Sequence, residues 1–321
     1  MFGGGSASSS DGQFFRAGGF GREASSINAH YGAEPGVKFY THLSDRYAPF
    51  HTKVIAATAS EAAHVLDGLL YHRSEVLARR HHTDGGGDSD HVFALCSLLG
   101  FQFAPRIPDL KNRRLYIFGR AADYPSLEPL IAGRINTALV LAHWPEILRV
   151  AASIHKGTVA ASLILRQLAS YPRQNGLAAA LRELGGWNAR CSPSTGWGMW
   201  NCAVRPAGTQ QGRNTQQPGR AVFIHRLGEI RDRTYENQQH RASGLNLLVT
   251  AIILWNTRYL ERAALRQTED VPDQLLAHLS PLGWEHVNLT GDYIWSAERP
   301  AMESRDGFRP LRVAPDTRKA A

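Results

Sequence analysis

Apolar and polar residues alternate along VKFYTHL, Val37 to Leu43, as they do in a strand with one buried face. KVIAAT, Lys53 to Thr58, supplies the next strand. In the following segment, SEAAHVLDGLLYH, the period changes to that of a helix. Ser60 stands in the N-cap position, and Ala62, Val65, Leu66, Leu69 and Leu70 fall on one face. EVLARRHHTD reads as a strand ending at Asp84, and three glycines then let the chain turn sharply. Ser89 opens a second helix, SDHVFALCSLLG, closed by Gly100. FQFAPRI, Phe101 to Ile107, alternates again. The first 110 residues therefore predict the order β-β-β-α-β-α-β and a mixed α/β sheet.

Helical spacing dominates from about Tyr124 to Leu184, with a break at YPRQNG, and returns from about Val222 to Arg266. The segment LLAHLSPLGWEHVNLTGDYIW predicts a short helix, a turn and a strand, with Trp284 and Trp295 in a packed core. The last residues, from about Ala297, are polar and basic. Gly186 to Gly219 resembles neither neighbour. It holds two of the three cysteines and three of the seven tryptophans, with little helical period. A structureless stretch of that length is unusual inside a compact domain. No internal repeat is present.

Composition narrows the function classes. The 321 residues carry a net charge of +8 and a pI near 9.6, a balance that favours polyanionic partners. The longest apolar run, Gly244 to Trp255, is shorter than the roughly 20 residues needed to span a bilayer and reads as a buried helix. MFGGGSASSS lacks the basic and apolar regions of a signal peptide. Cys96, Cys191 and Cys202 have no zinc-like spacing, so free thiols and a cytoplasmic location are expected.

Asp11, in SSSDGQ, has two readings: a turn residue beside glycine, or an acid of a metal site. His72, His81 and His82 near Asp84 invite a zinc reading, but adjacent residues on a strand face opposite sides. Asp45, Asp67, Asp88 and Asp90 read as cap, turn or surface residues. EIRDRTYENQQHR, Glu229 to Arg241, mixes Arg, Tyr, Asn and Gln; it suits either a phosphate backbone or a solvated helix face.

Six stretches then decide between the readings of Asp11: SSSDGQ, YGAEPGVKFYTHLSDRYAPFHTKVI, HTDGGGDSDHVFALCSLLGFQFAPRI, SYPRQNGLAAALRELG, LGEIRDRTYENQQHRASGLNL and LSPLGWEHVNLTGDYIW. In this order they resemble the C-terminal catalytic region of Tn3-family transposases over nearly the whole chain. The resemblance implies an RNase H-like mixed sheet flanked by helices, with a helical insertion between the second acid and the C-terminal helices. It divides the chain into an RNase H-like first part (1–118), the insertion (119–219), C-terminal helices with a closing segment (220–296) and a basic tail (297–321). It further implies a DDE triad binding two Mg²⁺ or Mn²⁺ ions, cleavage of transposon ends, and transfer of the 3′-hydroxyl into target DNA. Asp11 matches the first acid and Asp84 the second, and both are expected to ligate metal. DNA is the implied partner; the intact family is dimeric and not membrane-bound.

The third acid departs from the pattern. The family carries a motif like N-K-G-E-A-R-N-A-L-A-R ahead of R-A-V-F-F; here RAVF follows QQGRNTQQPG, and Arg213 stands at the Glu position. Codons for QQGRNTQQPG read one base later can give N-R-A-E-T-R-N-S-L-A. Codons for ARCSPSTGW read two bases later can give T-L-F-T-L-D-W, and GMWNCAV can yield D-V-E-L-R-R. These matches support the hypothesis of three lost bases, around Gly185, Val204 and Gly219, that leave 186–219 scrambled and disordered. Resequencing that finds no missing bases relative to intact relatives would contradict it. Glu229 and Glu236 are the nearby acids that could substitute, though exposed charge is the plainer reading of both. Because the family's transposases are several times longer, the chain is also expected to be a truncated catalytic fragment, and one of impaired activity, since Arg213 would set a cation beside the metals. The alternative is a non-catalytic remnant that binds DNA through charge alone.

Overall fold

In the computed structural model of the chain, residues 6–18, 23–87, 89–106, 115–170, 175–191, 229–266, 280–283 and 287 are described. All but Val287 fall in the unit Met1–Trp284. Its centre is a seven-stranded mixed sheet built on β1 (Ala7–Ala17), β3 (Pro35–Ser44), β4 (Pro49–Ala56) and β5 (Arg80–Thr83). β1 and β3 are antiparallel, as are β3 and β4, whereas β1 and β5 are parallel. The short strands β2 (Ser26–Ile27) and β6 (Gln102–Phe103) extend the sheet beside β3 and β5. A separate two-stranded sheet joins β7 (Leu115–Ile117) to β8 (Ile131–Arg134).

Seven α-helices are present among the described residues. They are α1 (Val65–Leu70), α2 (Asp90–Leu98), α3 (Thr137–Ala142), α4 (Trp144–His155), α5 (Ala161–Ser170), α6 (Gly176–Cys191) and α7 (Tyr235–Arg266). The expected order of the first 110 residues holds with one addition, the two-residue strand β2 between β1 and β3. Ser60 and Ser89 occupy N-cap positions in extended backbone, but neither side chain makes a cap hydrogen bond. Gly100 follows α2 at φ +82, the left-handed conformation that ends helices.

β3 departs from the half-buried strand that its alternation predicts: Gly36 to Ser44 are all buried. Val37 and Phe39 join Phe15, Val54, Ile230, Ala242 and Leu245 in one cluster. Tyr40 joins Ile55, Leu66 and Leu95 in another. The sheet thus lies between two apolar layers, one supplied in part by α7. Most polar groups of β3 are satisfied in place, while the buried His42 Nδ1 has no hydrogen-bond partner among the described residues. Lys38 bonds Glu61, Thr41 bonds Thr52, and His42 bonds the Val65 carbonyl. A buried polar group without such a partner would cost free energy.

α7 is fixed to the sheet by two glutamines of the segment read as a possible phosphate contact. Gln239 accepts from Val54 N and donates to the Thr52 carbonyl, each at 2.9 Å, occupying backbone groups of β4. Gln238 is fully buried and donates to the Glu23 and Asp232 carbonyls. Before α7, Glu229–Ile230 forms β9, which pairs with Arg16 and Ala17 of β1. The segment from Val222 was expected to be helical throughout. Two residues are too few for a strand period to register in sequence.

α6 runs on to Cys191, so the stretch expected to lose structure from Gly186 is helical over its first six residues. Its close approach to α2 needs Gly185, where a Cβ would lie 1.7 Å from the Asp90 carbonyl oxygen. Residues 192–219, Arg213, Cys202, Trp284, Trp295 and the basic tail lie outside the described residues. Cys96 is a buried free thiol, and no described helix is long and apolar enough to cross a membrane.

Asp67 corrects another expectation, since it is 3% exposed rather than a surface acid. It accepts from Lys53 Nζ at 2.8 Å and Ser162 N at 3.0 Å, tying α1 to β4 and α5. Burial alone would raise its carboxyl, but the His64 ring 3.7 Å away and hydrogen bonds from Lys53 and Ser162 hold it well below the usual carboxylate range. Asp67→Ala is expected to destabilise the fold by about 3 kcal/mol, the lower end for a broken buried pair, because Lys53 keeps some access to water. Urea unfolding tests this; a loss under about 1 kcal/mol would show the pair to behave as a surface one.

Candidate metal centre

The parallel pairing of β1 with β5 runs from Ala7↔Arg80 to Ser10↔Thr83 and stops there. Asp11 and Asp84 are the next residues on their strands, so the register alone sets these acids side by side. A third acid comes from a different element. β4 ends at Ala56, the chain turns, and Ser60 in extended backbone leads into a 3-10 helix, Glu61–His64. Its first residue, Glu61, meets the strand ends: carboxylate oxygens of Asp11, Glu61 and Asp84 lie within 4.8 Å of one another. Asp11 and Asp84 are half-buried, and Glu61 is 8% exposed.

Backbone and cation fix the three carboxylates. Gly12 N donates to Asp11 Oδ1 and Gly86 N to Asp84 Oδ1, each at 2.9 Å. Lys38 Nζ donates to Glu61 Oε1 at 2.9 Å and to the Ala59 carbonyl at 2.8 Å, and Lys38 is 5% exposed. Gly12 must be glycine here, since a Cβ on it would lie 2.3 Å from Glu61 Oε1. The combined negative field reaches both neighbouring phenols. Tyr31 is raised by burial and then by Glu61, Asp11 and Asp84. Tyr40 is raised well above its ordinary value by burial and Glu61, although its bond with Ser10 acts the other way.

Beneath the acids lies a neutral, hydrogen-bonded layer. Tyr40 Oη bonds Ser10 Oγ at 2.6 Å, and Ser10 Oγ meets His81 Nε2 at 2.8 Å. Ser8 Oγ meets His81 Nδ1, also at 2.8 Å. His81 stacks on His42, which touches His51 edge-on. Burial pushes His81 down to about 3 and His51 to about 4, and holds His42 well below its ordinary value. These imidazoles are uncharged at neutral pH and add no positive charge of their own to the site, where Lys38 is the cation bonded to Glu61.

The donor set suits a hard divalent cation. Three carboxylates offer oxygen alone, the ligand type of Mg²⁺, Ca²⁺ and Mn²⁺ rather than of zinc. The Lys38 ammonium already occupies one side of Glu61 as a cation would. The zinc reading gains no geometry: both His81 nitrogens are engaged by serines, His82 Nδ1 meets the Ala104 carbonyl, and His72 Nδ1 meets Ser74 Oγ. Glu229 and Glu236 are exposed and stand outside the acid group. Glu229 pairs opposite Arg16, five residues or about 17 Å along β1 from Asp11. Asp45 accepts from Ala7 N at 3.4 Å, and Asp90 sits in the first turn of α2. Asp88 and Arg213 lie outside the described residues.

Residues 1–293 match the Tn3 transposase DDE domain. The chain belongs to that family. It is 53% identical over 320 residues to the transposase for transposon Tn501 of Pseudomonas aeruginosa, covering 97% of this chain and 32% of the relative. The transposase for transposon Tn1546 of Enterococcus faecium is 40% identical over 316 residues, covering 98% of this chain and 32% of the relative. The transposase for transposon gamma-delta of Escherichia coli (strain K12) is 32% identical over 300 residues, 92% of this chain and 30% of the relative. The chain thus spans about a third of the length of the curated relatives it matches. No solved structure matches it. A DDE domain implies a divalent metal, and the acid group Asp11, Glu61 and Asp84 offers ligands for one.

Proposed function

We propose that this chain carries the metal-dependent DNA cleavage and strand-transfer centre of a Tn3-type transposase, with Asp11 and Asp84 as metal-binding acids. One observation supports this reading above the others: in a chain of this family, the end of the β1–β5 ladder sets both predicted acids in one group of converging carboxylates. Bound Mg²⁺ or Mn²⁺ ions would activate the attacking oxygen and stabilise the leaving one during in-line displacement at phosphorus. Asp11 and Asp84 supply anionic oxygens from the end of the β1–β5 ladder, and the Gly12 and Gly86 amides hold one oxygen of each in place. In cleavage, water attacks the phosphodiester and the bond to the 3′ oxygen breaks, leaving a 3′-hydroxyl and a 5′-phosphate. In transfer, that 3′-hydroxyl attacks a target phosphodiester and expels the target's own 3′ oxygen, so one ester bond forms as one breaks. Acid-bearing β1, the β3–β4 hairpin, a helical segment and acid-bearing β5 follow the order expected of an RNase H-like sheet. The net charge of +8 suits a DNA partner.

The test is incubation of the chain with end-labelled DNA carrying transposon ends and target DNA, with and without Mg²⁺ or Mn²⁺. Metal-dependent nicks or joined strands are expected. Salt-sensitive DNA binding without metal-dependent nicking would favour the remnant reading instead.

A further inference from the structure

We infer that Glu61 is a third metal-binding carboxylate of this site, so that the metal centre of the described residues does not depend on position 213. The inference rests on the metal-dependent reading proposed above and goes beyond its two strand acids. Neither the helix period around Glu61 nor its place in the first turn marks it for this role; the tertiary structure does. Four features single it out. Its oxygens converge with those of Asp11 and Asp84 within 4.8 Å. It is 8% exposed, which an acid with no task inside rarely is. Its Oε1 is held by the buried Lys38 ammonium, itself braced by the Ala59 carbonyl.

The fourth feature is the space kept around it. Gly12 leaves room for Oε1, and a Cβ on Gly86 would lie 3.2 Å from Asp84 Oδ1 and 3.7 Å from Glu61 Oε2. Oε1 bonds Lys38, and Oε2 lies between the two glycines that follow the strand acids, 3.1 Å from the Cβ position of Gly12 and 3.7 Å from that of Gly86. A carboxylate with one oxygen fixed by a buried cation and the other set toward two further acids is arranged in advance for a hard cation.

Glu61→Gln isolates the charge, because its amide oxygen can still accept from Lys38 and keep the packing. Free Mn²⁺ is counted by its electron paramagnetic resonance signal during titration of the chain, Glu61→Gln, Glu61→Asp and Asp84→Ala, with a thermal melt of each. The expected result is a Mn²⁺ affinity lowered on the order of 10-fold or more in Glu61→Gln, with a cooperative melt retained. Glu61→Asp, which keeps the charge but withdraws it by one methylene, should fall between. Wild-type affinity in Glu61→Gln or in Glu61→Asp, with binding lost in Asp84→Ala, would overturn the inference and leave the two-acid reading standing. Absence of Mn²⁺ binding in the unaltered chain would overturn both.

Discussion

Asp11→Asn is expected to abolish metal-dependent cleavage of DNA while leaving the fold intact. The substitution keeps size and the acceptor for the Gly12 amide but removes the charge that draws a divalent ion to this point on β1. Support of both attacking and leaving oxygens by metal is worth several kcal/mol, and each 1.4 kcal/mol is tenfold in rate. The expected drop is therefore on the order of 10³-fold or more. Nicking of labelled DNA at saturating Mg²⁺ measures it, with circular dichroism as the fold control. Retention of half the wild-type rate in a folded variant would place the chemistry elsewhere.

Acidification from pH 7.5 to pH 5 is expected to cost the protein much of its stability. The cause lies in His42, His51 and His81. Unfolded, each binds a proton with its ordinary pKa of 6.5. Folded, burial keeps His81 neutral down to about 3 and His51 to about 4, with His42 also well below its ordinary value. Between those limits the unfolded chain binds more protons than the folded one, so stability falls as pH falls. Each histidine contributes up to about 1.4 kcal/mol per pH unit, and the loss begins below about pH 6.5. Asp67, whose carboxyl is held low in the fold, adds its own loss in the same direction only near and below pH 4. Urea midpoints at pH 7.5, 6 and 5 measure the slope. Equal midpoints at all three would mean that water reaches these rings and that they titrate normally.

The sequence made the two strand acids legible because each sits in an ordered local signal. SSSDGQ lies beside an early strand, and HHTD closes a strand before three glycines. Their convergence is then a matter of register, which the family resemblance anticipated and the β1–β5 ladder displays. Glu61 was not legible. An acid in the first turn of a helix reads as a complement to the helix dipole, and the apolar face of SEAAHVLDGLLYH accounts for the rest of that segment. Only the burial of Lys38 against it, across 23 residues of sequence, gives Glu61 a different role.

The alternation of β3 predicted the strand correctly but assigned its polar face to solvent. That face is buried because Lys38, Tyr40 and His42 each find a partner on a neighbouring element, and single-sequence periodicity carries no record of partners. β2, β8 and β9, of two to four residues each, are too short for any period to show, whereas β6 (Gln102–Phe103) falls inside the alternating FQFAPRI. Asp67 was misplaced for the same reason as Glu61. Its partners, Lys53 and Ser162, lie on other elements.

The most direct test of the account is a calorimetric titration of the chain with Mg²⁺, beside Asp84→Ala, in buffer near pH 7.5. Saturable binding by the unaltered chain that disappears in Asp84→Ala is the predicted result; it would mean that the acids at the end of the β1–β5 ladder hold the metal. Equal binding by both proteins, or binding by neither, would contradict the metal centre described here.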